Sequence, residues 1–204
     1  PSRGLGDVYK RQPSYLILQS LDAANELLAD YPEKLQALLP QLESLRRRLA
    51  ARGWEVRPGE PLKVTLCPKG YGYTGSEVAA ALESGGIYPE FYDTDHVVLM
   101  VSPQNDPAEL RRLEEVLAAL PRRQAIRQGP PPMPRLEQAV TPHEAMLSPW
   151  EEVPLAACCG RISAAGALGC PPAVPVVLCG QRIDAAAVEV LRYYGFRRCA
   201  VLTE

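Results

Sequence analysis

The sequence predicts an α+β fold with connecting helices, a small open-faced α/β subdomain and a C-terminal α+β domain after a proline-rich linker. Leucines recur at three- and four-residue steps near the N-terminus, short apolar runs alternate with capped helical segments further on, and prolines cluster between the two halves. The 204 residues, 47% hydrophobic and 23% charged, are typical of a globular protein. We expect the helices and small subdomain over residues 13–120, the linker over 121–135 and the C-terminal domain over 136–204.

The connecting segment has helical periodicity from residue 13 to residue 49. Pro32 interrupts the first apolar stripe because proline supplies no amide donor, and a second leucine stripe follows over 35–45. We therefore expect two helices, broken near Tyr31. The first stripe comprises Leu16, Leu21, Ala24, Leu27 and Leu28.

The rest of the chain combines short strands with helices whose starts are marked by capping residues. A threonine or aspartate followed three residues later by glutamate predicts a helix start, and these pairs are Thr74/Glu77, Asp106/Glu109 and Thr141/Glu144. Asp184 caps a last helix, which Gly195 ends. The predicted strands are residues 63–67, 87–91, 97–101, 153–155, 174–178 and 199–202.

Composition excludes several classes of function. A net charge of −2 gives no long-range attraction to nucleic acid, and we find no apolar run of about 18 residues, so we expect no membrane span. Six cysteines form no C-x-x-C pair and only two histidines are present, so we expect no metal site and instead reduced, buried thiols. With no visible secretory signal, these features predict a cytoplasmic protein.

Residues 1–12, PSRGLGDVYKRQ, have neither apolar periodicity nor a helix cap. Residues 2–12 can be back-translated into a transposon-type sequencing adapter read through in frame, and the alternative is a natural disordered arm. We interpret the segment as an adapter artefact and expect the natural gene to continue upstream of Pro13.

Five stretches follow one another in a recognisable order. The first two are Pro13-Ser14-Tyr15 with Ser20-Leu21-Asp22-Ala23-Ala24, and Gly75-Ser76-Glu77-Val78-Ala79. The next two are Gly86-Ile87-Tyr88-Pro89-Glu90-Phe91 with Asp93 and 97–102, and 141–145 with Val153-Pro154-Leu155. The fifth is Gly160-Arg161-Ile162-Ser163-Ala164 with Pro171-Pro172, Pro175 and Gly180. In this order they resemble the C-terminal portion of the fold-type I pyridoxal-phosphate decarboxylases of ornithine, lysine and arginine.

The resemblance implies that the whole protein is an amino-acid decarboxylase of polyamine-type metabolism. It implies pyridoxal 5'-phosphate as cofactor, a basic amino acid as substrate, and a homodimer or higher homo-oligomer. In this family the lysine that forms the internal aldimine lies in a large N-terminal domain. Lys34, Lys63 and Lys69 lack the Ser-x-His-Lys context of that lysine, and we interpret them as surface lysines. We therefore expect no catalytic residue in this chain and no activity from it alone.

The resemblance also implies binding residues. Ser14 matches a turn that reaches the cofactor phosphate across the dimer; the alternative is a plain helix N-cap. Glu90, Asp93, Arg161 and Ser163 match positions near the substrate entrance. The alternatives are a solvated strand-end charge for Glu90 and pairing within the C-terminal domain for the latter two. We interpret the remaining candidates as loop, surface or packing residues: His96, His143, Trp150, Tyr193 and Tyr194.

The chain departs from the family pattern at several positions. Ala165 and Gln181 replace acidic residues, and Cys170 replaces a tyrosine. Ala173-Val174 and Cys179 stand where the family has Gly-Ile and Pro. A substrate entrance with fewer carboxylates is a poorer match for a dibasic amino acid, so a change in substrate specificity stays open.

The connecting helices carry a further expectation from the resemblance. Their apolar faces should pack on the absent large domain and on the partner subunit, so the isolated chain should be poorly soluble or self-associating. Two other functions stay open: a non-catalytic binding or assembly module, and the small domain of another fold-type I enzyme such as an aminotransferase. The proline-rich linker and the module over 160–180 argue against the aminotransferase.

Overall fold

A computed structural model describes residues 14–170 and 174–203. The adapter-like segment 1–12, with Pro13, Pro171 and Pro172 of the family motifs, lies outside the described residues. The α+β class is confirmed: six α-helices and small antiparallel sheets are distributed along the described chain. Their hydrophobic side chains form two separate clusters. We call the elements around the first cluster the first lobe and those around the second cluster the second lobe.

Two connecting helices lead into the first lobe, α1 (Tyr15–Leu28) and α2 (Tyr31–Ala51). The predicted break near Tyr31 is confirmed. α1 buries none of its side chains, and Leu16 is 77% exposed. α2 buries Leu38, Leu42, Leu45 and Leu49 within the first lobe. The expectation that the 35–45 stripe packs on another domain is therefore wrong, because this stripe covers the sheet of its own lobe.

The first lobe combines four short strands with two more helices. These elements are β1 (Glu55–Arg57), β2 (Lys63–Cys67), α3 (Gly75–Ser84), β3 (Phe91–Tyr92), β4 (Val97–Met100) and α4 (Pro107–Ala119). The strands form one antiparallel sheet in the order β1-β2-β4-β3. α2, α3 and α4 contribute leucines and valines to the cluster that includes the inward residues Val64, Leu66, Val97 and Leu99.

Residues 87–91 do not form the predicted strand, and only Phe91 belongs to β3. The backbone N–H of Ile87 donates to the Leu82 carbonyl and closes the end of α3 instead of joining the ladder. Pro89 has no N–H to donate. The apolar pattern of this stretch therefore reflects a helix C-terminus and the turn after it.

The second lobe is built from short elements around its own core. The elements are α5 (Pro142–Leu147), β5 (Trp150–Pro154), β6 (Ala167–Cys170), β7 (Val174–Leu178), α6 (Ala185–Tyr193) and β8 (Arg198–Leu202). β5 pairs with β8 and β6 pairs with β7, both antiparallel. Val177, Ile183, Val190 and Leu191 are among the buried side chains of this lobe.

The predicted helix starts are confirmed. Thr74, Asp106 and Thr141 each accept a hydrogen bond from the backbone of the glutamate three residues later, whose carboxylate accepts one in return. The Asp184 carboxylate accepts a hydrogen bond from the Ala187 N–H at the start of α6.

The first part of the predicted linker is bound along the first lobe. The N–H of Arg123 donates to the Tyr71 carbonyl at 3.0 Å, and that of Ile126 donates to the Lys69 carbonyl at 2.9 Å. Gly72 allows this approach: its φ is +99°, and a Cβ there would lie 2.5 Å from the Cβ of Arg123. We call residues 121–128 the strap. The domain boundaries at 120 and 135 stay a prediction.

Candidate functional site

The two lobes meet at a partly buried polar network formed by Lys69, Asp95 and Tyr193. Lys69 lies in the 3₁₀ turn (Pro68–Tyr71) that follows β2. Its side chain is only 13% exposed, so the interpretation as a surface lysine is wrong. The sequence places Lys69 in a turn but does not show that α6 and the strap cover that turn.

The Lys69 ammonium has three acceptors, which matches its three N–H donors. It lies 2.6 Å from Asp95 Oδ1 and donates to the Gln128 carbonyl at 2.7 Å. The third acceptor is the Tyr193 hydroxyl oxygen. One ammonium thus joins the 93–96 loop, the strap and the C-terminal end of α6.

Asp93 shapes the loop that presents Asp95. Its Oδ1 accepts hydrogen bonds from the N–H groups of Asp95 and His96, both at 2.7 Å. Burial raises the pKa of the Asp93 carboxyl, but the hydrogen bonds from His96 and from the Asp95 amide outweigh that effect, and the pKa lies below its usual value. Asp93 therefore acts as an ionised loop brace in this structure.

Tyr193, the last residue of α6, brings the second lobe into the network. Its hydroxyl donates to Asp95 Oδ1 at 2.6 Å. Burial and then the Asp95 carboxylate raise the pKa of the phenol far above its ordinary value, so it stays a donor. We predicted that Tyr193 only packs; the ring does contact Tyr194 edge to face, but the hydroxyl is the part that links the lobes.

A cleft of about 510 Å³ borders the network. Its walls include Thr74 and Thr94 from the first lobe, Gln128 from the strap, and Glu189 and Arg192 from the second lobe. Lys69 and Arg192 supply one cation from each lobe, and Ile126 and Pro131 add apolar surface, so the lining is mixed. The arrangement is suited to binding and positioning, and the lysine and tyrosine in it are already engaged with Asp95.

The structure does not bring the predicted entrance residues together. Glu90 is exposed just before β3, and its N–H donates to the Val98 carbonyl. Arg161 donates to Glu151 Oε1 and to the Leu202 carbonyl, both at 2.7 Å, within the second lobe. Ser163 is fully buried there, and its Oγ has no hydrogen-bond partner among the described residues. The entrance role of these residues, and that of Asp93, stays a prediction.

Ser14 precedes α1 as its N-cap residue, and its side chain makes no capping hydrogen bond. The phosphate role proposed from its sequence context stays a prediction. Gln181, one of the departures from the family pattern, accepts a hydrogen bond from the Leu178 N–H and so closes the turn after β7.

Two further predictions need correction. Trp150, predicted to pack, is 62% exposed, because β5 pairs on one side only and Trp150 is on its outward face. Cys159 is exposed, whereas Cys67, Cys158, Cys179 and Cys199 are buried as predicted. Burial raises the pKa of Cys158, and it raises that of Cys199 to about 12, so both thiols stay protonated at neutral pH.

Within residues 14–170 and 174–203, no group of three or more His, Cys, Asp or Glu side chains is arranged to hold a metal ion. None of the helices in these two ranges combines the length and apolar character needed to cross a membrane.

Residues 123–200 match the family model of the Orn/Lys/Arg decarboxylase C-terminal domain. Two proteins of Bacillus subtilis (strain 168) are similar along most of the chain. An arginine decarboxylase is 28% identical over 83% of this chain and 39% of its own length, and an uncharacterized protein is 26% identical over 92% and 42%. The chain therefore spans about two fifths of the length of these relatives.

Solved lysine decarboxylases share the fold. The constitutive enzyme of E. coli superposes with a TM-score of 0.65 at 19% identity, covering 94% of this chain and 44% of that one. The Francisella novicida enzyme gives 0.58 at 14% identity, and lysine decarboxylase A of Pseudomonas aeruginosa gives 0.56 at 15%; each covers 84% of this chain and 40% of the other. Residues 123–200 thus match the Orn/Lys/Arg decarboxylase C-terminal domain family, and the chain as a whole shares its fold with part of these lysine decarboxylases.

Proposed function

We propose that this chain is the C-terminal portion of a pyridoxal-phosphate-dependent decarboxylase of a basic amino acid, arginine, lysine or ornithine, in polyamine-type metabolism. The observation that carries the proposal is the family match over residues 123–200. The similarity to an arginine decarboxylase and the fold shared with three lysine decarboxylases support it.

The described residues do not fit the cofactor as a complete site. Its chemistry requires a lysine able to bond covalently to it. Lys34 is paired with Asp30 at 2.8 Å on the surface, Lys63 is paired with Glu60 at 2.9 Å, and Lys69 is committed to the network between the lobes. We assign no reaction step to these residues and propose that the chain alone is inactive.

Ser14 is the one described residue to which we assign a cofactor contact. Its hydroxyl is not used as a cap, and it precedes the N-terminal end of a 14-residue helix, where backbone N–H groups and the helix dipole favour a phosphate. We propose that this hydroxyl donates to the cofactor phosphate across a homodimer or higher homo-oligomer. For the whole protein we propose a cytoplasmic location and an N-terminal domain that covers the exposed stripe of α1.

We place Glu90, Asp93, Arg161 and Ser163 near the substrate entrance of the assembled protein. Because the entrance residues bond within separate lobes, this role requires the rest of the enzyme to bring them to one opening. Ala165 and Gln181 leave open which amino acid is used, since they remove two carboxylates that would attract a second amino group.

A fusion tests the proposed function. The N-terminal portion of the Bacillus arginine decarboxylase, up to the region matched here, is joined to residues 14–203 and assayed for CO₂ release from arginine, lysine and ornithine. We expect activity from the fusion and none from either part alone. A folded, cofactor-loaded fusion that decarboxylates none of the three amino acids contradicts the proposal.

A non-catalytic assembly module is the second candidate. It is favoured by the ion pairs of all three described lysines with carboxylates of this chain. The fusion separates the two, because an assembly module would restore oligomerisation without decarboxylation. Borohydride reduction of the 204-residue chain with pyridoxal phosphate adds a second test. Stoichiometric labelling of one lysine contradicts the inactivity of the chain alone.

A further inference from the structure

We infer that Lys69, Asp95 and Tyr193, here called the interlobe network, fix the orientation of the second lobe against the first. Two of the three residues belong to the first lobe, and Tyr193 alone belongs to the second. The Tyr193 hydroxyl is therefore the group through which the two lobes are joined in this network.

Each partner is held by its own lobe before it meets the others. Lys69 is in the turn that follows β2, and its carbonyl accepts the Ile126 N–H. Asp95 is held in its loop by the hydrogen bond from its N–H to Asp93 Oδ1. Tyr193 ends α6, whose Val190 and Leu191 are fully buried in the second core. Because the backbone at each of these residues is already fixed, forming the network costs little further conformational entropy. The network therefore fixes the relative orientation of the two lobes.

The bonds are short and shielded from water. Lys69 and Asp95 are 13% and 11% exposed, and the Tyr193 hydroxyl donates to the carboxylate at 2.6 Å. Hydrogen bonds to charged groups in such surroundings are stronger than neutral ones at the surface. Thr94 adds a second link between the lobes by donating from Oγ1 to the Tyr193 carbonyl at 3.3 Å.

The same ammonium also fixes the strap that connects the lobes. Lys69 donates to the Gln128 carbonyl, five residues beyond the point where Arg123 bonds to Tyr71. The apolar cores of the lobes form two separate clusters. Lobes with separate cores and a polar contact move relative to one another unless that contact holds them. The interlobe network supplies this restraint and positions one wall of the cleft.

Tyr193→Phe tests the inference, because it removes the hydroxyl that joins the lobes within the network, leaves Lys69 paired with Asp95 and keeps the Thr94 bond to the Tyr193 carbonyl. Spin labels on Cys159 and on a cysteine introduced by Glu115→Cys report the distance between the lobes in the 204-residue chain, with Cys170→Ser as background. We expect the population with separated lobes to rise at least about tenfold, the lower end of the range for losing one hydrogen bond to a charged group. Thr94→Val should produce a smaller rise in the same direction.

Tyr88→Phe and Glu114→Gln are the matched controls. The first removes a hydroxyl from a 79% exposed tyrosine, and the second breaks the Arg48–Glu114 ion pair within the first lobe. Both should leave the distance distribution unchanged. A folded Tyr193→Phe protein with the parent distribution overturns the inference, as does equal broadening in the controls.

Discussion

Replacing Leu42 by alanine should destabilise the chain by about 2–5 kcal/mol, the range for truncating a fully buried leucine. Leu42 is 0% exposed and lies among the leucines of α2 that cover the four-stranded sheet. The substitution removes the buried methyl groups and leaves a cavity that neighbours on α2 and the sheet fill only in part. The loss should therefore lie toward the middle or top of this range.

Leu27→Ala is the matched control because it makes the same chemical change in α1, where Leu27 is 62% exposed. It should change the free energy of unfolding by less than about 0.5 kcal/mol. Urea unfolding followed by circular dichroism measures both variants at one protein concentration. Equal effects at the two positions would contradict the packing of α2 on the sheet of its own lobe.

Three further predictions concern the surface, the strap and pH. Leu21→Ser should reduce self-association of the chain in light scattering, because it breaks the exposed stripe of α1, whereas unchanged scattering would mean that another surface associates. Gly72→Ala should destabilise more than Gly160→Ala and speed hydrogen exchange of the strap amides. Both glycines have positive φ, at +99° and +85°, but only Gly72 is in contact with the strap. Asp93→Asn should lower stability at neutral pH. The lowered pKa of Asp93 contributes stability that is present above its ordinary value of 3.8 and lost as pH falls below it, so the two proteins should converge in acid. A constant difference across pH would contradict this.

The local features of the fold were predictable from the sequence. Thr74 and Glu77 satisfy each other three residues apart, so the spacing alone predicts the helix start. β1 was missed because three residues, two of them charged, give no period to detect. The apolar run 87–91 was misread as a strand because Pro89 and the C-terminal end of α3 impose a turn on a sequence that otherwise favours extension.

The interlobe network depends on contacts that no local pattern contains. Tyr193 is 124 residues from Lys69 along the chain, and Gln128 is 59 residues from it. A lysine in a turn and a tyrosine at a helix end each have an ordinary exposed or packing role when considered separately. Lys69 and Tyr193 come together because the strap binds beside Gly72 and because α6 packs on the second core. The order of the family motifs predicts neither of these two contacts. Arg161, from the fifth family stretch, accordingly donates within one lobe, and Ser163 of the same stretch is buried there, whereas the contact between lobes rests on residues outside every motif.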